Sequence, residues 1–216
     1  MKAIITLISS FLSIALFAQE PAITLRLMGD STMADKNLEN GNPERGWGQM
    51  LKSYVDSSVL VVNYAKNGRS TKDFQTLGYW DTVMSDLKEG DYLFIQFGHN
   101  DAKSHDPQRY AAAFGEYPTA IIQVATEYGL PLIDATKITE EWLNSIGDET
   151  SRQYFMWLEP GEYVKHPDGL KDNTHTNILG ACKIVSLLLP HILVHIPELT
   201  THIIPDANFS KTGMQK

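Results

Sequence analysis

A serine, a histidine and an aspartate that can converge supply the groups needed for nucleophilic acyl transfer. Ser31 stands in Gly29-Asp30-Ser31-Thr32, just past a run of strand-like residues, and Asp172 and His175 lie close together in Asp172-Asn173-Thr174-His175. A hydroxyl becomes an effective nucleophile when a base lies within hydrogen-bond reach and a third group orients that base. Ser31, His175 and Asp172 suit those roles, and the short spacing lets one turn present Asp172 and His175 in the same direction. The tetrahedral intermediate of such a reaction also needs donors aimed at its oxyanion. The backbone N–H groups of Ser31 and Gly68 and the side-chain amide of Asn100 are available for that. Glycine at 68 lets the backbone approach a substrate closely. Plainer roles compete: Ser31 fits a helix N-cap, Asp172 fits a helix cap, and His99 fits a structural loop histidine.

These groups need elements that bring them to one place. Apolar, partly β-branched runs at residues 24–28, 59–65, 91–98 and 130–135 read as buried strands. Between them, Trp47, Met50, Leu51 and Tyr54 mark one helical face, and Trp80, Val83, Met84 and Leu87 mark another, which places Trp47 and Trp80 in the core. Ser70 and Asp73 have the spacing of a capping box, and a helix from about Pro118 to Tyr128 stops at Gly129. Alternation of strands and helices predicts an α/β fold with helices on both faces of a parallel sheet, four strands in all. The first three strands end in Gly29-Asp30-Ser31, Asn67-Gly68-Arg69 and Gly98-His99-Asn100-Asp101, and in such a sheet these ends share one edge. A helix around Trp142 follows, residues 147–171 read as a long loop, and an amphipathic helix from Ile178 should kink or end at Pro190.

Bulk properties narrow the partners. The 216 residues carry a net charge of −8 without a basic run, which argues against nucleic acid. Residues 1–19 read as a signal peptide, with Lys2 ahead of an apolar core from Ala3 to Phe17, too short to span a membrane. Export to the periplasm or beyond is therefore expected, with residues 20–216 as one domain and no stable membrane span in the mature chain. Cys182 is the single cysteine, so no intrachain disulfide forms, and it reads as a small buried residue. His191 and His195 have helical spacing but lack the acidic company of a metal site, so no metal or other cofactor is expected.

Gly29-Asp30-Ser31-Thr32, Gly68, Gly98-His99-Asn100-Asp101 and Asp172-Asn173-Thr174-His175 resemble, in order, the four blocks of the SGNH (GDSL) hydrolase superfamily. Within it the chain is similar to the rhamnogalacturonan acetylesterases, through Arg45-Gly46-Trp47-Gly48-Gln49, Asn67-Gly68-Arg69-Ser70 and Phe155-Met156-Trp157-Leu158 as well. The resemblance runs from about Ile23 to about Leu189. It implies a three-layer α/β/α fold and metal-free removal of acetyl groups from an acetylated pectic polysaccharide. Ser31 is then the nucleophile, His175 the base and Asp172 its partner, with Ser31, Gly68 and Asn100 as the oxyanion hole. Arg69, His99 and Trp157 are candidate substrate contacts, Arg69 for a uronate carboxylate and Trp157 for a sugar face. The G-x-S-x-G elbow of the common α/β-hydrolases is absent, since Met33 stands at its second glycine. Only Ala102 to Tyr117 separates the third block from the next helix, where the family pattern has a further helix and strand. Two other readings follow: a lipid or thioester hydrolase of the same superfamily, and a non-catalytic glycan-binding protein with a shortened sheet.

Overall fold

The computed structural model describes residues 21–103, 105–106, 117–204, 209–210 and 213–214. The expected signal peptide lies outside these residues. Strand β1 (Ile23–Gly29) is the centre of a parallel sheet, with β2 (Val59–Asn63) on one side and β3 (Tyr92–Gln96) on the other. Leu25 sits opposite both Val61 and Tyr92, so the carboxyl ends of all three strands lie together.

Strand alternation divides β1 between two cores. Leu25 and Leu27 face α1 (Trp47–Leu51) and α6 (Ile178–His195), in a cluster with Met33, Leu51, Ala181 and Val185. Met28 faces the opposite layer, α2 (Thr71–Thr76) and α3 (Tyr79–Asp86), through Phe74 and Val83. This is the expected three-layer α/β/α arrangement. Arg26 shares the Met28 face and is only 7% exposed, which is tolerable because its guanidinium meets Asp91 Oδ2 at 2.5 Å and the Tyr64 hydroxyl at 2.6 Å. The capping box of α2 is present, with Ser70 and Asp73 bonded reciprocally.

Four expectations need correction. Among the described residues the parallel sheet has three strands, not four. Helix α4 (Tyr117–Tyr128) ends as expected at Gly129, but residues 130–134 form no strand. Their backbone bonds are local, Leu130 N–H to the Ala125 carbonyl and Ala135 N–H to that of Ile133, and Leu130 and Leu132 are exposed. An apolar run becomes a strand only where a neighbour completes its ladder.

The supposed loop at 147–171 is largely ordered. Helix α5 (Ala135–Ser151) continues through a break at Gly147, and β4 (Phe155–Leu158) then pairs antiparallel with β5 (Leu170–Thr176). Helix α6 runs through Pro190, because burial of Val185, Leu188 and Ile192 on either side outweighs one missing hydrogen bond. Its composition would also suit a membrane span, but in this fold it is the core helix on which α1 packs. Trp80 and Met84 are exposed on α3, leaving Val83 as the buried member of that stripe.

Helix α1 presses its first turn against the turn after β1. A Cβ on Gly46 would lie 2.3 Å from the Ala34 carbonyl oxygen and 2.5 Å from the Met33 carbonyl carbon. Both are backbone atoms and cannot swing aside. Gly46→Ala is therefore expected to cost about 2–3 kcal/mol, seen as a fall of roughly 5–10 °C in a thermal melt.

Candidate active site

The end of β1 folds back through an aspartate. Asp30 Oδ1 accepts from the Thr32 N–H at 2.9 Å and from the Thr32 hydroxyl at 2.8 Å, which closes a tight turn with Ser31 at its crest. No helix begins there, so the capping role open to Ser31 is not realised. Gln96, the last residue of β3, holds this turn from the side. Its amide nitrogen donates to Thr32 Oγ1 at 2.8 Å, and its oxygen accepts from the Trp47 indole at 2.8 Å. Trp47 is thus both core and anchor.

His175 reaches Ser31 from the other end of the chain. Its Nε2 lies 3.0 Å from Ser31 Oγ, and its Nδ1 lies 2.8 Å from Asp172 Oδ2. An ionised Asp172 can only accept, so Nδ1 carries the proton and Nε2 is left to receive that of the serine. His175 sits in a bulge of β5 that begins just after Asp172, not in a turn before α6 as expected. Phe155 pairs with Thr176 and Met156 with Asp172, which pushes residues 173–175 out of the ladder. Asp172 Oδ1 pins that bulge by accepting from the N–H groups of Thr174 at 2.6 Å and His175 at 3.0 Å. The Trp157 indole donates to Asn173 Oδ1 at 2.6 Å within the same bulge.

Beyond the bulge, Asn177 caps α6 through Gly180 N–H, and its amide donates to the carbonyls of Gln153 and Phe155 at the start of β4. Arg45 N–H donates to the Thr176 carbonyl at 2.9 Å, and the Thr176 hydroxyl donates to the Arg45 carbonyl at 2.8 Å. These bonds join the ribbon to the segment entering α1.

The other two strand ends complete the edge. Gly68 has φ +70°, the left-handed region that glycine enters without strain. Asn100, 2% exposed, donates through Nδ2 to the Arg69 carbonyl at 3.1 Å and accepts through Oδ1 from Lys103 Nζ at 2.9 Å. Asp101 fastens the turn after β3 to α2, accepting through Oδ1 from the N–H and hydroxyl of Thr71.

The carboxylates differ in their electrostatics. Burial pushes the Asp172 carboxyl up, but hydrogen bonds from His175 and Thr174 outweigh it and hold the group below the ordinary range. Burial likewise opposes ionisation of Asp30, and His99 and Thr32 overcome it. The Asp30 carboxylate in turn raises the His99 imidazole, partly offset by burial and by Lys103. His99 Nδ1 stands 3.8 Å from Asp30 Oδ2, so the contact is ionic attraction rather than a hydrogen bond. Burial raises the Asp101 carboxyl, against the bonds from Thr71.

Of the candidate substrate contacts, His99 is exposed beside the Ser31 turn, and Arg69 is half-exposed with only its backbone engaged among the described residues. Trp157 lies under the Arg152 guanidinium at 4.5 Å and near Lys171 Nζ at 5.7 Å. Among the described residues no group of three or more His, Cys, Asp or Glu side chains is arranged to hold a metal. Gln96, Lys103 and Asn177 escaped the sequence reading. Gln96 alone carried a signal, as a polar residue closing an otherwise apolar strand.

The GDSL-like lipase/acylhydrolase family model matches residues 25–154. Rhamnogalacturonan acetylesterase RhgT of Bacillus subtilis is 31% identical over 77% of this chain and 88% of its own length. Probable rhamnogalacturonan acetylesterase YesY of the same organism is 27% identical over 83% and 97%. The crystal structure of Bacillus subtilis protein YxiM superposes with a TM-score of 0.62 at 22% identity, covering 82% of this chain and 58% of that one.

The lowered carboxyl of Asp172 ties stability to acid. Its native form binds protons less readily than the unfolded chain, so its contribution is present above the ordinary value of 3.8 and is lost as the pH falls through the lower native value. The melting temperature should drop steadily as the pH is taken below about 4, and less steeply in Asp172→Ala. Parallel slopes for the two proteins over that acid range would refute the assignment.

Proposed function

The chain belongs to the GDSL-like lipase/acylhydrolase family, and from that premise we propose that it is a serine esterase that deacetylates rhamnogalacturonan. The observation that carries this reading is the unbroken chain of contacts from Ser31 Oγ through His175 to Asp172. The names of the relatives RhgT and YesY supply the substrate class.

In this reaction Ser31 Oγ attacks the acetyl carbonyl carbon while His175 Nε2 takes the hydroxyl proton. Asp172 keeps the imidazole in the acting tautomer and stabilises its cation. The carbonyl oxygen becomes an oxyanion that accepts from the N–H groups of Ser31 and Gly68 and from the Asn100 amide. Collapse breaks the ester bond, and the departing sugar oxygen takes the proton from His175. Water then attacks the acetyl-serine with His175 again as base, which frees acetate and restores Ser31.

Arg69 and the cationic form of His99 serve a uronate next to the acetylated sugar, and Trp157 offers it an aromatic face. Export through the segment 1–19 fits a polymeric substrate that cannot enter the cell.

The test is acetate release from acetylated pectic rhamnogalacturonan by the purified chain and its Ser31→Ala variant. Release by the parent and a fall of at least about a thousandfold in kcat for the variant are expected. An undiminished variant would remove Ser31 from the mechanism. A cooperative melt with no release, beside cleavage of long-chain acyl esters, would favour the lipid-hydrolase reading.

A further inference from the structure

Asn100 can serve an oxyanion only if its amide faces the right way. A side-chain amide is close to symmetric in shape, so its orientation is decided by its partners. Lys103 Nζ, which can only donate, lies 2.9 Å from Oδ1, and the Arg69 carbonyl, which can only accept, lies 3.1 Å from Nδ2. Reversing the amide would set its N–H groups against an ammonium and its oxygen against a carbonyl. Of the two Nδ2 protons, one is used on Arg69 and the other meets no acceptor among the described residues.

We propose that Lys103 is a positioning residue for the oxyanion hole, holding the free N–H of Asn100 toward the reacting carbonyl and strengthening it as a donor. This rests on the esterase reading above. The backbone sets up the contact: Ala102 N–H donates to Gly98 and Lys103 N–H to Asn100, so the turn brings Lys103 back over the Asn100 side chain. Asn100 is buried, which keeps water from its amide and makes polarisation by the partly exposed ammonium effective. As the carbonyl oxygen gains charge, the hydrogen bond from Nδ2 shortens and the positive end of the Lys103–Asn100 pair stabilises it. The ground-state ester gains little from the same group. The effect therefore belongs to the chemical step.

The experiment measures kcat and KM for acetate release from acetylated rhamnogalacturonan in the parent, Lys103→Met, Lys103→Arg, Asn100→Ala and the double variant Asn100→Ala/Lys103→Met. Asn100→Ala should lower kcat about a hundredfold, as loss of one oxyanion donor does. Lys103→Met should lower kcat about tenfold with KM within about twofold of the parent, and Lys103→Arg should recover most of the loss. In the Asn100→Ala background, Lys103→Met should cost less than about twofold, because its route to the substrate has gone. Should Lys103→Met melt early, Lys103→Gln keeps a donor without the charge and should fall between Lys103→Met and the parent. An impaired Asn100→Ala beside an unimpaired Lys103→Met or Lys103→Gln overturns this proposal alone. Equal losses from Lys103→Met in both backgrounds also overturn it, since the lysine would then act without Asn100. An undiminished Asn100→Ala removes the oxyanion-hole reading and this proposal with it.

Discussion

The site depends on two hydrogen bonds between Arg45 and Thr176. Ser31 and His175 are 144 residues apart in the chain, and their elements share no ladder. Ser31 belongs to the central sheet, while His175 rides on a separate two-stranded ribbon. Arg45 and Thr176 exchange a backbone bond and a hydroxyl bond across that divide, and Glu44 and Asn177 extend it as a β-bridge. The residue after His175 is thus tied to the segment entering α1, and α1 is packed against the Ser31 turn. A ribbon of two strands is marginal by itself, so without this seam the imidazole would have no fixed distance from the hydroxyl.

Around the seam, single polar groups divide their bonding capacity between structure and chemistry. Asp172 uses one oxygen to hold the bulge and the other to orient His175. Asp30 uses one oxygen to close the Ser31 turn and turns the other toward His99. Gln96 meets Thr32 with its nitrogen and the Trp47 indole with its oxygen. Reversing the Gln96 amide would break two bonds at once, and each carboxylate is held from both of its oxygens. The site is therefore preorganised by bonding patterns within single residues more than by bulk packing.

What the sequence made legible follows from how local each feature is. The first three strands and the turns after them could be read because apolar runs ending in Gly, Asn and Asp are decided within a few residues. Asp172 and His175 were legible as a pair, but the element carrying them was not. Leu170–Thr176 contains Lys171, Asp172, Asn173 and His175, a composition poor in strand formers, and it becomes a strand because Phe155–Leu158 lies beside it. Residues 130–134 fail in the opposite sense, with a strand-like composition and no ladder partner among the described residues. Pro190 and Trp80 were misread for one reason. Local preference and stripe spacing say nothing of what the rest of the fold presses against a given turn. Gln96 acts through contacts set by tertiary structure, which no spacing rule reports, while Lys103 and Asn177 make local contacts of a kind that any turn or helix start can offer.

Among the described residues the parallel sheet has three strands, and β3 on its outer side leaves Ile95 exposed. The site does not suffer from this because none of its groups comes from beyond β3. Ser31, Gly68 and Asn100 follow β1, β2 and β3, and His175 and Asp172 arrive from the α1–α6 side of the sheet. The bonds that hold these groups run inward, from Gln96 to Thr32 and from Asn100 to the Arg69 carbonyl. Lost pairing at the outer edge thus removes stabilising contacts without lengthening any contact between Ser31, His175 and Asp172. The outer edge of β3 and the contacts between Ser31, His175 and Asp172 lie in different parts of the molecule, so a narrow sheet and an intact set of contacts are compatible.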